Sequence, residues 1–197
     1  STLRYGHLMI MTDQDHDGSH IKGLLINCFH HFWPSLLQIP GFLQCFITPI
    51  VKATSNAKKG PSRTFFTVPE YEAWKAEVGT NASKFSVKYY KGLGTSTAAE
   101  ARDYFSDLAT HQLDFDLLRE GDGDLVDMAF SKKRVEDRKT WLRSLEPGAF
   151  VDYGVDALAY KDFVHKELSL FSVADNQRSI PCVVDGLKPS QRKVLFA

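Results

Sequence analysis

The sequence has 197 residues, of which 43% are hydrophobic and 24% are charged. This balance is typical of a globular protein that can bury a sizeable core, and the length suits one domain or one and a half. No apolar stretch approaches the length of a bilayer span and no signal peptide is recognisable, so we expect no membrane partner. The three cysteines are scattered and odd in number, which indicates free thiols rather than a disulfide framework.

The 24 basic and 24 acidic residues cancel, so composition alone does not indicate a nucleic-acid partner. The charge is nevertheless uneven. Acidic residues dominate from Glu100 to Asp127, and basic residues follow from Lys132 to Arg143. Such a basic run is usually a solvated helix face, but it also permits a polyanionic partner. The chain lacks an initial methionine and stops at Ala197 inside an apolar and basic pattern, so we expect a piece of a longer polypeptide.

Periodicity and turn residues predict the elements in chain order. The first half should contain a strand at His7–Thr12, a helix at His20–Gln38 that Pro34 kinks or ends, a strand at Phe46–Val51, a loop at Ala53–Ser62, a strand at Thr64–Val68, a helix from Pro69 and a strand at Lys84–Tyr90. The second half should contain helices at Ser96–His111 and Leu125–Leu145, a linker at Pro147–Gly154, and helices at Tyr160–Ala174 and from Ser190. Strands that alternate with helices predict an α/β fold with a mainly parallel sheet.

An acidic cluster directly follows the first predicted strand. Asp13, Asp15 and Asp17 alternate along the chain, so their carboxylates can converge on one side of an extended segment. Carboxylate oxygens suit Mg²⁺ or Ca²⁺, and ligands of open α/β sheets bind beyond the carboxyl ends of strands. A solvated turn that caps the next helix is the ordinary alternative. An EF-hand loop is excluded, because its twelfth position holds Leu24 instead of glutamate.

This cluster, with its flanking residues from Leu3 to Ile21, closely resembles the Toprim metal motif of type II DNA topoisomerases. The resemblance implies that Asp13 and Asp15 bind Mg²⁺ beside the scissile phosphate and that Asp17 supports them. The family completes this two-metal site with a glutamate from an earlier strand, which we expect upstream of Ser1. The Glu120-Gly121-Asp122 sequence lies downstream of the cluster and does not match that element.

Two further segments resemble the eukaryotic members of this family. The first runs from Lys91 to Ser96 and matches a Lys-Gly-Leu-Gly element, although an ordinary tight turn would give the same pattern. The second contains Lys132 and Lys133, whose counterparts contact DNA in the family. Lysines supply sequence-independent attraction for phosphates, but a surface i,i+4 pair between Lys133 and Asp137 is an alternative explanation.

The last segment, from Arg178 to Lys193, resembles the opening of the topoisomerase breakage-reunion domain, whose winged helix binds DNA. The resemblance implies that six residues contact DNA: Arg178, Lys188 and Arg192, together with Lys91, Lys132 and Lys133. In bacterial gyrase the Toprim metal motif and the opening of the breakage-reunion domain belong to separate subunits. This chain carries both, which is the eukaryotic or large-viral arrangement.

The resemblance also implies a domain division. Residues 1–52 would form the C-terminal part of the Toprim domain, and residues 53–150 a Toprim-associated α/β and helical extension. Residues 151–197 would form a linker and the first helices of a winged-helix domain. The family is homodimeric, hydrolyses ATP bound in another domain, and acts on double-stranded DNA, and we expect a nuclear location, with mitochondrial or viral alternatives.

No tyrosine in this sequence matches the family's nucleophile. That tyrosine follows an arginine well past the breakage-reunion opening, so the resemblance implies that it lies beyond Ala197. We therefore expect no catalytic residue in the chain and no activity from the chain alone.

Two other functions remain open. A Toprim-fold nuclease or primase would use the same carboxylates, and a non-catalytic DNA-binding module would use only the basic residues. Metal-dependent phosphate chemistry in the complete protein would separate the enzymes from the binding module.

Overall fold

The computed structural model describes residues 3–57, 60–90, 92–146 and 148–197. The strands are β1 (Leu8–Met11), β2 (Leu43–Phe46), β3 (Val51–Ser55), β4 (Ser62–Phe65), β5 (Phe85–Tyr89), β6 (Gln112–Phe115) and β7 (Ala157–Leu158). The α-helices are α1 (His16–Phe32), α2 (Val68–Val78), α3 (Ala98–Ser106), α4 (Leu108–His111), α5 (Asp122–Phe130), α6 (Val135–Arg143), α7 (Tyr160–Phe163), α8 (Ser169–Ser179) and α9 (Pro189–Phe196). A π-helical segment, Val164–Leu168, joins α7 to α8. Within the described ranges, no helix has both the length and the apolar character of a membrane span.

Sheet A contains four strands in the order β1-β2-β6-β7. β1 is parallel to β2 and β6 is parallel to β7, whereas β2 and β6 are antiparallel. Helices pack on this sheet around one apolar core that includes Ile10, Ile26, Tyr160 and Phe163. The α/β fold with a mainly parallel sheet is therefore confirmed. The strands of sheet A come from all three predicted domain segments, and the division at residues 52 and 150 stays a prediction.

Sheet B was not predicted as a separate unit. Its strands run in the order β4-β3-β5 and both of its strand pairs are antiparallel. α2 covers the sheet and packs Tyr71 and Trp74 against Val51, Ala53 and Phe65 in a second core. This small sheet projects from the connection between β2 and β6, so it separates two neighbouring strands of sheet A along the chain.

The strand predicted at Phe46–Val51 is wrong. β2 ends at Phe46 and β3 begins at Val51, so the predicted range is the crossing from sheet A to sheet B. The Ile47 amide donates to the His111 carbonyl at one end, and the Ile50 amide donates to the Phe65 carbonyl at the other. Pro49 lies between them without an N–H, and a proline interrupts a strand ladder at such a position.

The loop predicted at Ala53–Ser62 is shorter than expected, because β3 continues to Ser55 and β4 already begins at Ser62. Val51 and Ala53 are buried while Lys52 and Thr54 lie on the other face. This alternation is typical of a strand with one solvated face. Lys58 and Lys59, which belong to the same predicted loop, lie outside the described residues.

The long helix predicted at Leu125–Leu145 is also wrong. α5 ends at Phe130 and α6 begins at Val135, because Ser131 adopts an extended conformation with ψ of 131°. The guanidinium of Arg138 donates to the carbonyls of Met128 and Ser131, which satisfies acceptors at the end of α5. The helix predicted at Ser96–His111 is likewise divided, into α3 and α4.

A buried ion pair connects α1 to the π-helical segment. The Lys22 ammonium contacts the Glu167 carboxylate, and the two side chains are only 3% and 9% exposed. Glu167 also accepts hydrogen bonds from the Ser19 hydroxyl at 2.8 Å and from the Tyr153 hydroxyl at 3.1 Å. Burial, together with this carboxylate, raises the pKa of Tyr153 above its usual range. The hydrogen bonds let a charge remain inside the protein.

We expect Lys22→Met to lower the free energy of unfolding by about 3–5 kcal/mol, because it leaves the Glu167 charge buried without a cation. Urea unfolding of the purified chain measures this loss. Lys166→Met is the control, since Lys166 pairs with Asp162 at a position where both side chains are over 40% exposed, and it should cost less than about 1 kcal/mol. The double variant Lys22→Met/Glu167→Gln should recover stability, and a further loss would contradict the explanation.

Candidate functional site

The acidic loop lies at the carboxyl end of β1, where the chain passes into α1. Asp13 and Asp15 are both exposed on this loop. Each uses Oδ1 to accept a backbone amide hydrogen bond, from Leu93 in the first case and from Gly18 in the second. Within the described residues no donor bonds to the Oδ2 atom of Asp13 or of Asp15, so the described part of the chain leaves one oxygen of each carboxylate for another ligand.

The Asp13 carboxylate contacts the glycine-rich segment that lies 80 residues further along the chain. The Leu93 amide donates to Asp13 Oδ1 at 2.7 Å. A Cβ placed on Gly92 would lie 2.6–2.7 Å from the atoms of this carboxylate, closer than van der Waals contact allows. Gly94, by contrast, has nothing within 4 Å of the corresponding position. Glycine at position 92 therefore lets the glycine-rich segment contact the acidic loop. Lys91 lies outside the described residues.

Asp15 caps α1. Its Oδ1 accepts the Gly18 amide at 2.8 Å, and this capping interaction starts the helix at His16, four residues before the predicted start. A Cβ on Gly18 would lie 1.9 Å from the Asp13 carbonyl oxygen, so only glycine allows the loop to fold this closely over the first turn. The capping role and the free Oδ2 atom are compatible, because they involve different oxygens.

Asp17 has a different partner. The Arg178 guanidinium donates to both of its carboxylate oxygens, from Nη1 at 2.9 Å and from Nη2 at 2.6 Å. These hydrogen bonds hold the pKa of Asp17 below its usual range and raise the pKa of Arg178. Across the described ranges, no three acidic, histidine or cysteine side chains are grouped so that they could hold a metal ion. The structure therefore does not bring Asp17 into one ligand set with Asp13 and Asp15.

Lys132 and Lys133 occupy the turn between α5 and α6, and both are exposed. Asp137 pairs with Arg134, whose Nε lies 2.6 Å from its carboxylate, so the alternative pair between Lys133 and Asp137 is not formed. Within the described part of the chain, the two ammonium groups form no ion pair. They form a solvated cationic turn that is available to an anion.

Lys188 and Arg192 lie at the start of α9. The Lys188 amide donates to Gln191 Oε1 at 2.8 Å, which caps the helix, and its ammonium has no ion pair among the described residues. The Arg192 guanidinium donates to both carboxylate oxygens of Asp185. The Leu187 amide and this guanidinium lower the pKa of Asp185. Both arginines that were predicted to contact DNA, Arg178 and Arg192, are thus paired with carboxylates.

Two tyrosines, Tyr153 and Tyr160, contribute to the interior beside this site. Tyr160 is 1% exposed in the main core, and the Tyr153 hydroxyl donates to the buried Glu167 carboxylate. Ala197 follows α9, and its amide donates to the Lys193 carbonyl at 3.1 Å. That the nucleophilic tyrosine lies beyond Ala197 stays a prediction, as does the absence of a catalytic residue from the chain.

Sequence reasoning missed the residues that support the acidic loop. The Leu93 amide and Gly92 belong to a segment that was singled out, but for a DNA contact by Lys91 rather than for contact with Asp13. The ion pair of Lys22 and Glu167 is connected to the start of α1 by Ser19, whose hydroxyl donates to Glu167. No local pattern indicated it, because an isolated Lys and an isolated Glu on helices are usually solvated.

Comparison with known proteins places the chain in a family. Residues 46–176 match the family described as the C-terminal associated domain of TOPRIM. This match covers more than half of the chain, and the chain therefore belongs to that family.

Its relatives are more specific. The chain is 60% identical to DNA topoisomerase 2 of Arabidopsis thaliana, 58% to probable DNA topoisomerase 2 of Dictyostelium discoideum, and 54% to DNA topoisomerase 2 of Saccharomyces cerevisiae. These matches cover 99–100% of the chain but only 13–14% of each relative. A crystal structure of the Plasmodium falciparum topoisomerase II DNA-binding, cleavage and re-ligation domain superposes with a TM-score of 0.87 at 55% identity, and the match covers 100% of this chain and 26% of that one. The expected resemblance to eukaryotic-type topoisomerase II is confirmed over the whole chain.

Proposed function

We propose that this chain is the metal- and DNA-binding segment of an ATP-dependent type II DNA topoisomerase. The complete protein would make a transient double-strand break and pass a second duplex through it. It would act as a homodimer on double-stranded DNA, and we infer a nuclear location from its eukaryotic relatives. ATP would bind in another part of the polypeptide, since the chain spans only about an eighth of the length of the curated relatives it matches.

One observation carries the proposal. The Leu93 amide donates to the Asp13 carboxylate at 2.7 Å, so the acidic motif and the glycine-rich motif are in direct contact although 80 residues separate them. A generic acidic turn has no need of the second motif. The contact fixes the orientation of Asp13, and a fixed carboxylate at the carboxyl end of a strand is suited to hold a ligand.

The donor set fits Mg²⁺ in part. Asp13 and Asp15 each offer a free Oδ2 atom, and carboxylate oxygens are the ligands that hard cations prefer. Two carboxylates make a weak site, so we propose that a glutamate from outside the sequence completes it. When bound, Mg²⁺ would stabilise negative charge on the oxygens of an in-line phosphoryl displacement. Asp13 and Asp15 would hold the metal beside the scissile phosphate, and a tyrosine from a segment beyond Ala197 would be the nucleophile.

The basic residues would hold the DNA backbone. Lys132 and Lys133 lie together on an exposed turn, and phosphate contacts of this kind position a duplex without reading its sequence. Lys188 and the arginines at positions 178 and 192 would contact the DNA backbone too, and of these three Arg178 lies beside the acidic segment, since it pairs with Asp17. Lys91 is retained as a proposed contact on the basis of its motif alone. The arginines must exchange a carboxylate partner for a phosphate, whereas the lysines need no such exchange.

Asp13→Ala or Asp15→Ala in the complete protein should abolish Mg²⁺-dependent DNA cleavage but spare most DNA binding. The metal ligands are lost, while the phosphate contacts elsewhere remain. Plasmid cleavage over a Mg²⁺ titration and a parallel binding assay measure the two effects. Normal cleavage by both variants at ordinary Mg²⁺ would contradict the assignment. Nicking without protein-linked DNA in the unmodified protein would instead favour a nuclease.

Gly92→Ala should raise the Mg²⁺ concentration that gives half-maximal cleavage, because its methyl group would displace the Asp13 carboxylate. A displacement of about 1 Å at a site of this kind can cost on the order of a hundredfold in rate. Gly94→Ala is the matched control, since a Cβ at that position meets nothing within 4 Å. Equal metal requirements for the two variants would show that the Gly92 contact does not position Asp13.

Lys132→Ala combined with Lys133→Ala should weaken DNA binding without changing sequence preference. If both side chains contact phosphates, the slope of log K against log salt should decrease by about two units. Fluorescence anisotropy with a short duplex at several salt concentrations gives this slope. Lys166→Ala provides a control, because that lysine is already paired with Asp162. An unchanged slope would show that the two lysines do not contact phosphates and only belong to a solvated turn.

A further inference from the structure

We propose that Asp17 and Arg178 form an exchangeable ion pair that couples the binding of a DNA phosphate to the charge of the acidic loop. Without DNA, Arg178 holds Asp17. When a phosphate takes the guanidinium, Asp17 is released and its full negative charge becomes available to a cation at the loop. The inference rests on the proposed function, because it requires that Arg178 contacts DNA.

The geometry of the pair is the first argument. The two residues are 161 positions apart, and they join the first turn of α1 to the last turn of α8. Two guanidinium nitrogens each donate to one carboxylate oxygen, at 2.9 and 2.6 Å. An arginine binds a phosphate through the same two-pronged arrangement. A phosphate and Asp17 would therefore compete for the same edge of the guanidinium.

Exposure is the second argument. Asp17 and Arg178 are 55% and 53% exposed, so water and salt weaken their attraction and a competing anion can reach them. The buried pair of Lys22 and Glu167, at 3% and 9% exposure, could not exchange partners in this way. Helix α1 thus takes part in a buried ion pair that keeps its partner, Lys22 with Glu167, and in an exposed ion pair whose partner an anion can replace, Asp17 with Arg178.

The surroundings of Arg178 are the third argument. The His20 and Phe171 rings stack with their centroids 4.0 Å apart, which holds α8 against α1 independently of the ion pair. The Arg178 guanidinium carbon lies 6.0 Å from the same Phe171 ring, and Asp175 contacts the guanidinium from its own helix. Release of Asp17 would therefore leave Arg178 positioned near the acidic loop, where a phosphate beside the metal would lie.

The exchange has a reciprocal consequence. If a phosphate at Arg178 strengthens the attraction of the acidic loop for a cation, then a bound cation must strengthen phosphate binding by the same factor. DNA would then promote metal binding at the loop before any cleavage occurs. Free protein would hold a cation less strongly, because Arg178 neutralises the charge of Asp17, which lies two residues after Asp15 along the chain.

The test uses a double-mutant cycle in the complete protein that carries this sequence. The dissociation constant of a short duplex is measured in EDTA for the unmodified protein, Asp17→Asn, Arg178→Gln and the double variant. Arg178→Gln should weaken binding. Asp17→Asn should strengthen it by about twofold to fivefold, the scale of one exposed ion pair. In the Arg178→Gln background, Asp17→Asn should leave the dissociation constant unchanged, because the competition no longer exists.

A second readout uses Mn²⁺ binding without DNA, followed by electron paramagnetic resonance. Arg178→Gln should bind Mn²⁺ more tightly than the unmodified protein, and the double variant should lose this gain. Melting temperatures verify folding, and Asp17→Ser replaces Asp17→Asn if that variant does not fold. Equal strengthening by Asp17→Asn in both backgrounds would reflect general charge repulsion and overturn the exchange. If Arg178→Gln leaves DNA binding unchanged, the proposed DNA contact itself is wrong.

Discussion

A lysine and a glutamate face each other inside this protein with almost no access to water. Removing two charges from solvent costs several kcal/mol for each ion, so the pair persists only because hydrogen bonds and packing complete its surroundings. Glu167 is supplied with three donors, from Lys22, Ser19 and Tyr153. Ser19 is also in the first turn of the helix that Asp15 caps. The position of the acidic loop therefore depends on a contact with a residue about 150 positions further along the chain.

The same contact helps to hold together the two ends of the chain, both of which supply strands to sheet A. β7 is only two residues long and pairs with β6 through Ala157 and Leu158. So short a strand gives little stability by itself. α7, which follows it, supplies Tyr160 and Phe163 to the main core, and the π-helical segment supplies Glu167 to the ion pair. Apolar burial and one charged contact together fix the C-terminal segment against α1.

Local sequence patterns were sufficient to predict the elements that depend on a proline or on alternating side chains. Pro34 does end α1, and the alternation around Val87 does form β5. The acidic loop was located correctly after its strand, because three alternating aspartates after an apolar run form a strong pattern. β6 was missed, since only Leu113 and Phe115 are buried in it and Asp114 and Asp116 make the segment resemble a polar loop.

Long-range partners could not be predicted from the sequence. Nothing near Asp17 indicates that Arg178 will bind it, and nothing near Asp13 indicates that the Leu93 amide will do so. Both contacts depend on the packing of α8 and of the segment after sheet B, which no periodicity encodes. The resemblance to topoisomerases identified these residues as functional, but it assigned them to metal and DNA rather than to each other.

The π-helical segment has a geometric consequence for the residues that follow it. A π-turn contains roughly one residue more than an α-turn, so every later side chain is rotated about 100° around the helix axis relative to a continuous α-helix. Arg178 lies at the end of this rotated helix. Deletion of a single residue between Val164 and Leu168 would allow a regular α-helix and keep the present orientation of Arg178, whereas a regular α-helix through all the residues present would turn the guanidinium away from the acidic loop. The local irregularity thus sets the angular phase of a residue three turns away.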